Sequence, residues 1–181
     1  MLEMIKTITV YCASSSRIDE AYFSAARELG SLMAQCGITL VTGSGKTGLM
    51  GAVNQGAIDA GGKTIGVIPQ FMFDRQWQHP DLTELIVTPD MHRRKEKMAE
   101  LADAVIALPG GVGTFEELME IITWRKLGLF DGQIIILNIN GYYNPMLTML
   151  HDAAEKGFMK TLDLGLWKVA ETPRQALEIL I

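Results

Sequence analysis

In Asp103-Ala104-Val105-Ile106-Ala107-Leu108-Pro109-Gly110-Gly111-Val112-Gly113-Thr114-Phe115-Glu116-Glu117, an apolar run passes through a glycine-rich turn to a pair of carboxylates. The run Asp103 to Leu108 reads as a strand covered on both faces, because a short continuous apolar stretch ends at strong turn residues. Leu118 to Leu127 carries a helical pattern. A glycine turn between strand and helix leaves bare N–H groups at a helix N-terminus, and these attract phosphate. Acids beside an anion site point to chemistry on a nucleotide or a sugar phosphate.

The same alternation runs outward in both directions. Upstream, Thr7 to Cys12 reads as a strand, Asp19 to Gln35 as a helix stopped by Gly37, and Ile38 to Thr42 as a second strand. Leu49 to Ala60 reads as a helix ended by Gly61-Gly62, and Thr64 to Ile68 as a third strand. Pro69 to Pro80 is an aromatic and polar loop. Leu85 to Thr88 reads as a short strand and Met91 to Ala102 as a helix. Downstream, Gln133 to Ile139 reads as a strand and Pro145 to Lys156 as a helix. Trp167 to Ile181 reads as strand then helix, with Pro173 near the helix start. This pattern predicts an α/β fold: one Rossmann-like, doubly wound, mostly parallel sheet with helices on both faces. Ligands of such sheets bind beyond the carboxyl ends of the strands. There the glycine turns, Ser14 to Ser16 and Arg94 gather.

Bulk properties narrow the function. The chain has 181 residues, which fits a single domain, and 48% hydrophobic residues supply a core. A net charge of -5 and no long basic run argue against a nucleic-acid surface. No apolar stretch reaches the roughly 20 residues of a membrane span. Met1 to Val10 contains Glu3 and Lys6 and does not resemble a signal peptide. Cys12 and Cys36 form no metal spacing, so a reduced, cytoplasmic chain is expected. The 11 methionines read as core filler.

A second glycine turn, Gly43-Ser44-Gly45-Lys46-Thr47-Gly48, matches G-x-G-x-x-G between a strand and a helix. It follows the second strand, and no acid ends a strand about 20 residues later, so a dinucleotide site is disfavoured. Gly45-Lys46-Thr47 also imitates a P-loop, but that pattern needs glycine where Leu40 stands. A plain phosphate or ribose cradle remains, beside the simpler reading of a tight turn. Thr114-x-x-Glu117 has the spacing of a capping box, and on spacing alone that reading of Glu117 is preferred. Arg94 is more unusual. It lies, with Lys95, within the apolar stripe of Met91, Met98, Leu101 and Ala102, early in a helix whose dipole opposes a cation. A cleft containing an anion or carboxylate explains that position. A snorkelling side chain at the core edge is the alternative. His79 and His92 lack the partners of a zinc site.

Pro109-Gly110-Gly111-Val112-Gly113-Thr114-Phe115-Glu116-Glu117 resembles the P-G-G-x-G-T-x-x-E signature of the LONELY GUY family. These are cytokinin riboside 5′-monophosphate phosphoribohydrolases, often mislabelled lysine decarboxylases. Met91-His92-Arg93-Arg94-Lys95, Gly48-Leu49-Met50-Gly51 and Asn140-Gly141-Tyr142-Tyr143 extend the resemblance along nearly the whole chain. It implies hydrolysis of a purine nucleoside 5′-monophosphate to free base and ribose 5-phosphate, without metal or cofactor.

By the same resemblance Arg94 and Glu117 form the catalytic pair, which displaces the capping-only reading. Gly110, Gly111, Gly113 and Thr114 hold the 5′-phosphate, while Ser15, Gly43 and Gly45 frame the nucleotide. Met91, Lys95 and Gln76 face the base. Arg94 either binds the phosphate or stabilises the departing base. A homodimer with sites near its interface is also implied, with the helix carrying Trp124 and Arg125 as a contact. The chain departs from the family at Ser44, where glycine is usual, at Ala13, also usually glycine, and at Gln76, usually glutamate. Base preference, N6-prenylated adenine or plain adenine, is therefore open. The main alternative is a non-catalytic nucleotide carrier related to molybdenum-cofactor carriers. A pyridoxal-dependent lysine decarboxylase and an NTPase rank behind it.

Overall fold

The computed structural model describes residues 5–181. The expectation for Met1 to Val10 falls partly on residues 1–4, which lie outside the described residues. The strands are β1 (Thr7–Tyr11), β2 (Thr39–Thr42), β3 (Thr64–Pro69), β4 (Glu84–Thr88), β5 (Ala104–Ala107), β6 (Gln133–Leu137) and β7 (Lys168–Ala170). They form one sheet in the order β4-β3-β2-β1-β5-β6-β7. Every neighbouring pair is parallel. The helices are α1 (Glu20–Gln35), α2 (Gly48–Asp59), α3 (Gln70–Phe73), α4 (Met91–Glu100), α5 (Val112–Lys126), α6 (Asn144–Glu155) and α7 (Pro173–Leu180).

The doubly wound α/β fold follows from where side chains go. Ala104 to Ala107 are all fully buried, as a central strand between two helical layers requires. Alternation along β1 sends Ile8 and Val10 to one core and Tyr11 to the other. The first core packs under α1, α2 and α7, and the second under α4, α5 and α6. The chain winds outward from β1 to β4, then returns to lay β5 against the free side of β1. Strand order reverses there, so a crevice opens beyond the carboxyl ends of β1 and β5.

Two glycines set how closely α1 and α2 approach. A Cβ on Gly30 would lie 2.1 Å from the Val53 carbonyl oxygen, and one on Gly56 would lie 2.2 Å from that of Arg27. Glycine inside a helix costs about 0.5–1 kcal/mol relative to alanine. Here it lets two backbones touch.

Three local expectations change. α5 begins at Val112, six residues before the apolar pattern becomes readable. Val112 is 84% exposed and Gly113 has no side chain, so the first turn carries no apolar stripe. Gly111 is the N-cap, no side chain caps the helix, and Thr114 sits at the third helical position. The capping box of Thr114 and Glu117 is therefore not formed. The Pro69 to Pro80 loop contains the single turn α3. Strand β6 ends at Leu137, and Ile139 belongs to a 3-10 turn, Ile139–Gly141, with Asn140 at φ 52°.

Candidate active site

At the reversal point lies a cleft of about 970 Å³. Cys12 to Ser15 line it after β1, and Gly43 to Thr47 with Met50 after β2. Ile68, Met72, Arg75 and Trp77 come from the end of β3 and the segment beyond it. Met91 and Arg94 come from α4, and Gly111 to Thr114, Glu116 and Glu117 from the start of α5. Ser15, Gly43, Gly45, Met91, Arg94, Gly111, Gly113, Thr114 and Glu117 are thus brought together from separate parts of the sequence.

Arg94 owes its direction to a cap. The Asp90 side chain accepts from the Arg93 N–H at 2.9 Å and fixes the start of α4. One residue later, Arg94 is only 6% exposed. Its Nε donates to the Val67 carbonyl at 3.1 Å. Its Nη1 stands 3.8 Å from Glu117 Oε1. Gly43 makes room for it: a Cβ there would lie 1.6 Å from Arg94 Nη2. Glycine at position 43 is therefore the seat of a guanidinium held 51 positions further along the chain.

Glu117 is equally buried, and burial pushes its carboxyl up to about 7. Arg94 and Lys95 pull the other way, while Glu116 and Glu120 add to the rise. A carboxyl that titrates near neutrality suits general acid–base work.

The turn before α5 has two kinds of glycine. Gly111 and Gly113 have no positive φ, and a Cβ on either would meet nothing within 4 Å. Neither backbone geometry nor packing demands glycine there, although Gly113 in a helix costs about 1 kcal/mol. Their bareness leaves the N–H groups of the helix N-terminus open to the cleft, where an anion fits. Gly110 is different. A Cβ there would lie 2.0 Å from Thr114 Oγ1, so it packs behind the turn and lines no part of the cleft.

Two tyrosines fasten that turn from behind. The Tyr142 hydroxyl donates to the Gly110 carbonyl, and the Tyr143 hydroxyl donates to the Leu108 carbonyl at 2.6 Å. Tyr143 is held by its own N–H, which donates to Asn138 Oδ1 at 2.7 Å. Tyr143 is 1% exposed and Tyr142 38%. Tyr143→Phe is expected to orphan a buried carbonyl and cost about 1–3 kcal/mol, seen as a lower urea midpoint at unchanged m-value. Tyr142→Phe, whose partner can turn to water, is expected to stay within about 0.5 kcal/mol of wild type.

Lys95 and Gln76 stand outside the cleft lining. Lys95 lies about 100° round α4 from Arg94 and pairs instead with Glu116 and Glu120. Gln76 is exposed at φ 57°, and its carbonyl accepts from Lys46 Nζ at 2.8 Å. That contact belongs to a seam between the second glycine turn and the segment after β3. Lys46 N–H donates to the Trp77 carbonyl at 3.2 Å, and His79 N–H donates to the Ser44 carbonyl at 2.7 Å. Ser44 takes φ 68° and is fully buried.

Met50, Met72 and Arg75 also line the cleft, together with Trp77 of the aromatic segment after β3. The Arg75 guanidinium lies 5.4 Å from the Trp77 ring centroid and 5.9 Å from that of Phe71. An arginine between aromatics was the available signal. Tyr142 and Tyr143 carried one too, as adjacent aromatics after an Asn-Gly turn.

Comparison with known proteins agrees with this architecture. The family profile described as "Possible lysine decarboxylase" matches residues 50–180. A probable cytokinin riboside 5′-monophosphate phosphoribohydrolase of Oryza sativa subsp. japonica is 41% identical over 97% of this chain and 72% of its own length. A cytokinin riboside 5′-monophosphate phosphoribohydrolase of Rhodococcoides fascians is 44% identical over 85% of this chain and 78% of its own. Among solved structures, the molybdenum cofactor carrier protein of Chlamydomonas reinhardtii is similar with a TM-score of 0.76 and 25% identity. That match covers 96% of this chain and 94% of the carrier.

Proposed function

The chain belongs to the family of cytokinin riboside 5′-monophosphate phosphoribohydrolases, and from that premise we propose that it hydrolyses the N-glycosidic bond of a purine nucleoside 5′-monophosphate. The observation that carries the reading is the position of the Glu117 carboxyl. It is buried beside Arg94 and stands five residues, roughly 7 Å of helical rise, beyond the open N-terminus of α5. A phosphate on the Gly111 and Gly113 N–H groups leaves its ribose pointing along that span. Bond cleavage builds positive charge on the ribose. Ionised Glu117 stabilises that charge and accepts a proton from the attacking water. The water oxygen bonds to C1′, the C1′–N bond breaks, and the base leaves with the electron pair and takes up a proton. Arg94 holds the anionic side of the reaction, either the phosphate or the departing base. Met72, Trp77 and Met91 give the cleft an apolar wall for the base.

The reading includes AMP as a substrate beside N6-prenylated AMP, and a homodimer using the α5 surface around Trp124 and Arg125. The exposed Leu127 and Leu129 next to that surface support it. It also places the chain in the cytoplasm, where its two free cysteines suit a reducing environment. No helix among the described residues is long and apolar enough to cross a membrane.

The test is chromatographic detection of free base from AMP and from N6-isopentenyl-AMP. Base release is expected, with kcat/KM rising with pH through a midpoint near 7 as Glu117 ionises. The ratio of the two rates sets the base preference. Tight nucleotide binding with no base released from either would overturn the hydrolase reading. It would favour a carrier, in keeping with the structural likeness to the Chlamydomonas protein.

A further inference from the structure

Glu117 is surrounded by titratable groups on three elements and at the start of a fourth. Tyr11 acts on it from the end of β1 and Cys12 from just beyond, Arg94 and Lys95 from α4, Glu116 and Glu120 from α5, and Tyr143 from before α6. Burial pushes Tyr11, Cys12 and Tyr143 up, so they remain neutral. The charged set is then two cations, Arg94 and Lys95, against two anions, Glu116 and Glu120.

Lys95 is the connecting member. Its side chain is only 8% exposed, yet its Nζ reaches Glu116 and lies 2.9 Å from Glu120 Oε2. Glu116 and Glu120 are four apart on α5, a spacing at which like charges repel. Both flank Glu117, one residue before it and three after. The ammonium is nearly covered while its two carboxylates keep contact with solvent, so Lys95 gives up hydration that the pairs must replace.

We infer that Lys95 is a positioning residue that neutralises Glu116 and Glu120 and so keeps Glu117 able to ionise at neutral pH. This inference rests on the proposed hydrolase reading, since it assigns Lys95 a task in preparing the base of that reaction. Removing Lys95 leaves one cation against two anions around Glu117, which favours its protonated form.

The test follows the Glu117 carboxyl in two ways. One is the pH profile of base release. The other is the ¹³C NMR titration of the labelled Glu117 carboxyl, assigned with Glu117→Gln and independent of turnover. In Lys95→Met the midpoint is expected to rise by about one unit, a roughly fivefold loss of kcat/KM at pH 7 that recovers above pH 9. Lys95→Arg is expected to bring the midpoint back, and the triple variant Lys95→Met/Glu116→Gln/Glu120→Gln, which leaves Arg94 against no anion, to bring it to the wild-type value or below.

Should Lys95→Met fail to fold, Glu116→Gln/Glu120→Gln is titrated in its place, because both side chains are partly exposed and their substitution leaves the core intact. It is expected to lower the Glu117 midpoint. An unchanged midpoint in either folded variant would overturn the role of Lys95, as would a loss of rate equal at every pH. If wild type releases no base, the hydrolase reading fails while the NMR titration still decides the role of Lys95.

Discussion

Glu117→Gln is expected to abolish base release while making the protein more stable above neutral pH. The activity loss is about 10²–10⁴-fold, the usual worth of a positioned acid or base. The stability gain follows from the direction of the Glu117 shift. Its folded-state carboxyl titrates at about 7 against an ordinary 4.5, chiefly through burial. A raised carboxyl binds its proton more tightly when folded. The associated stabilisation is complete below 4.5 and is lost as pH rises through 7. Glutamine keeps the shape of the protonated acid and carries no charge to bury. At pH 8 the variant therefore gains up to about 3 kcal/mol, shrinking towards zero below pH 4.5. Arg94 loses its carboxylate, but that attraction already lies within the net shift. Urea denaturation of both proteins at pH 4 and pH 8 measures the difference. A helix cap would give the opposite sign, since losing one costs about 1 kcal/mol. A variant less stable than wild type at pH 8 would show that Glu117 supports the fold rather than burdening it.

The fold was legible because strands such as Val105-Ile106-Ala107 announce themselves without tertiary context. Arg94 was legible for a related reason, since a cation within an apolar helical stripe needs a partner. What could not be read was anything set by contacts distant in the chain. Thr114-x-x-Glu117 has capping spacing, yet the cap is Gly111. Its extended conformation starts the helix three residues earlier than a Thr114 cap would. Lys95 follows Arg94 in sequence, but a helix turns neighbours about 100° apart. One enters the cleft and the other pairs with Glu116 and Glu120 on α5. Gln76 takes a left-handed φ in the segment after β3 and its side chain is exposed, outside the cleft lining. Gly30 and Gly56 look like weak points inside helices until the opposing carbonyls are known.

The same limit applies most sharply to Gly43, and it gives the second large expectation. Read as part of G-x-G-x-x-G, this glycine belongs to a phosphate cradle. In the structure its missing Cβ is space taken by the Arg94 guanidinium. Gly43 has no positive φ, so alanine suits its backbone. The new methyl must instead displace Nη2, while Nε is held by the Val67 carbonyl. Gly43→Ala is therefore expected to fold and melt much like wild type and to lose about 10²-fold in kcat/KM, the usual cost of misplacing a reacting group by an ångström. A cradle role predicts a different pattern, in which alanine weakens nucleotide binding whether or not Arg94 is present. The cycle with Arg94→Met separates them. Residues acting through one contact are strongly non-additive, so Gly43→Ala is expected to cost almost nothing further in the Arg94→Met background. A full and independent loss there would return Gly43 to the substrate's phosphate or ribose and leave Arg94 seated by other means.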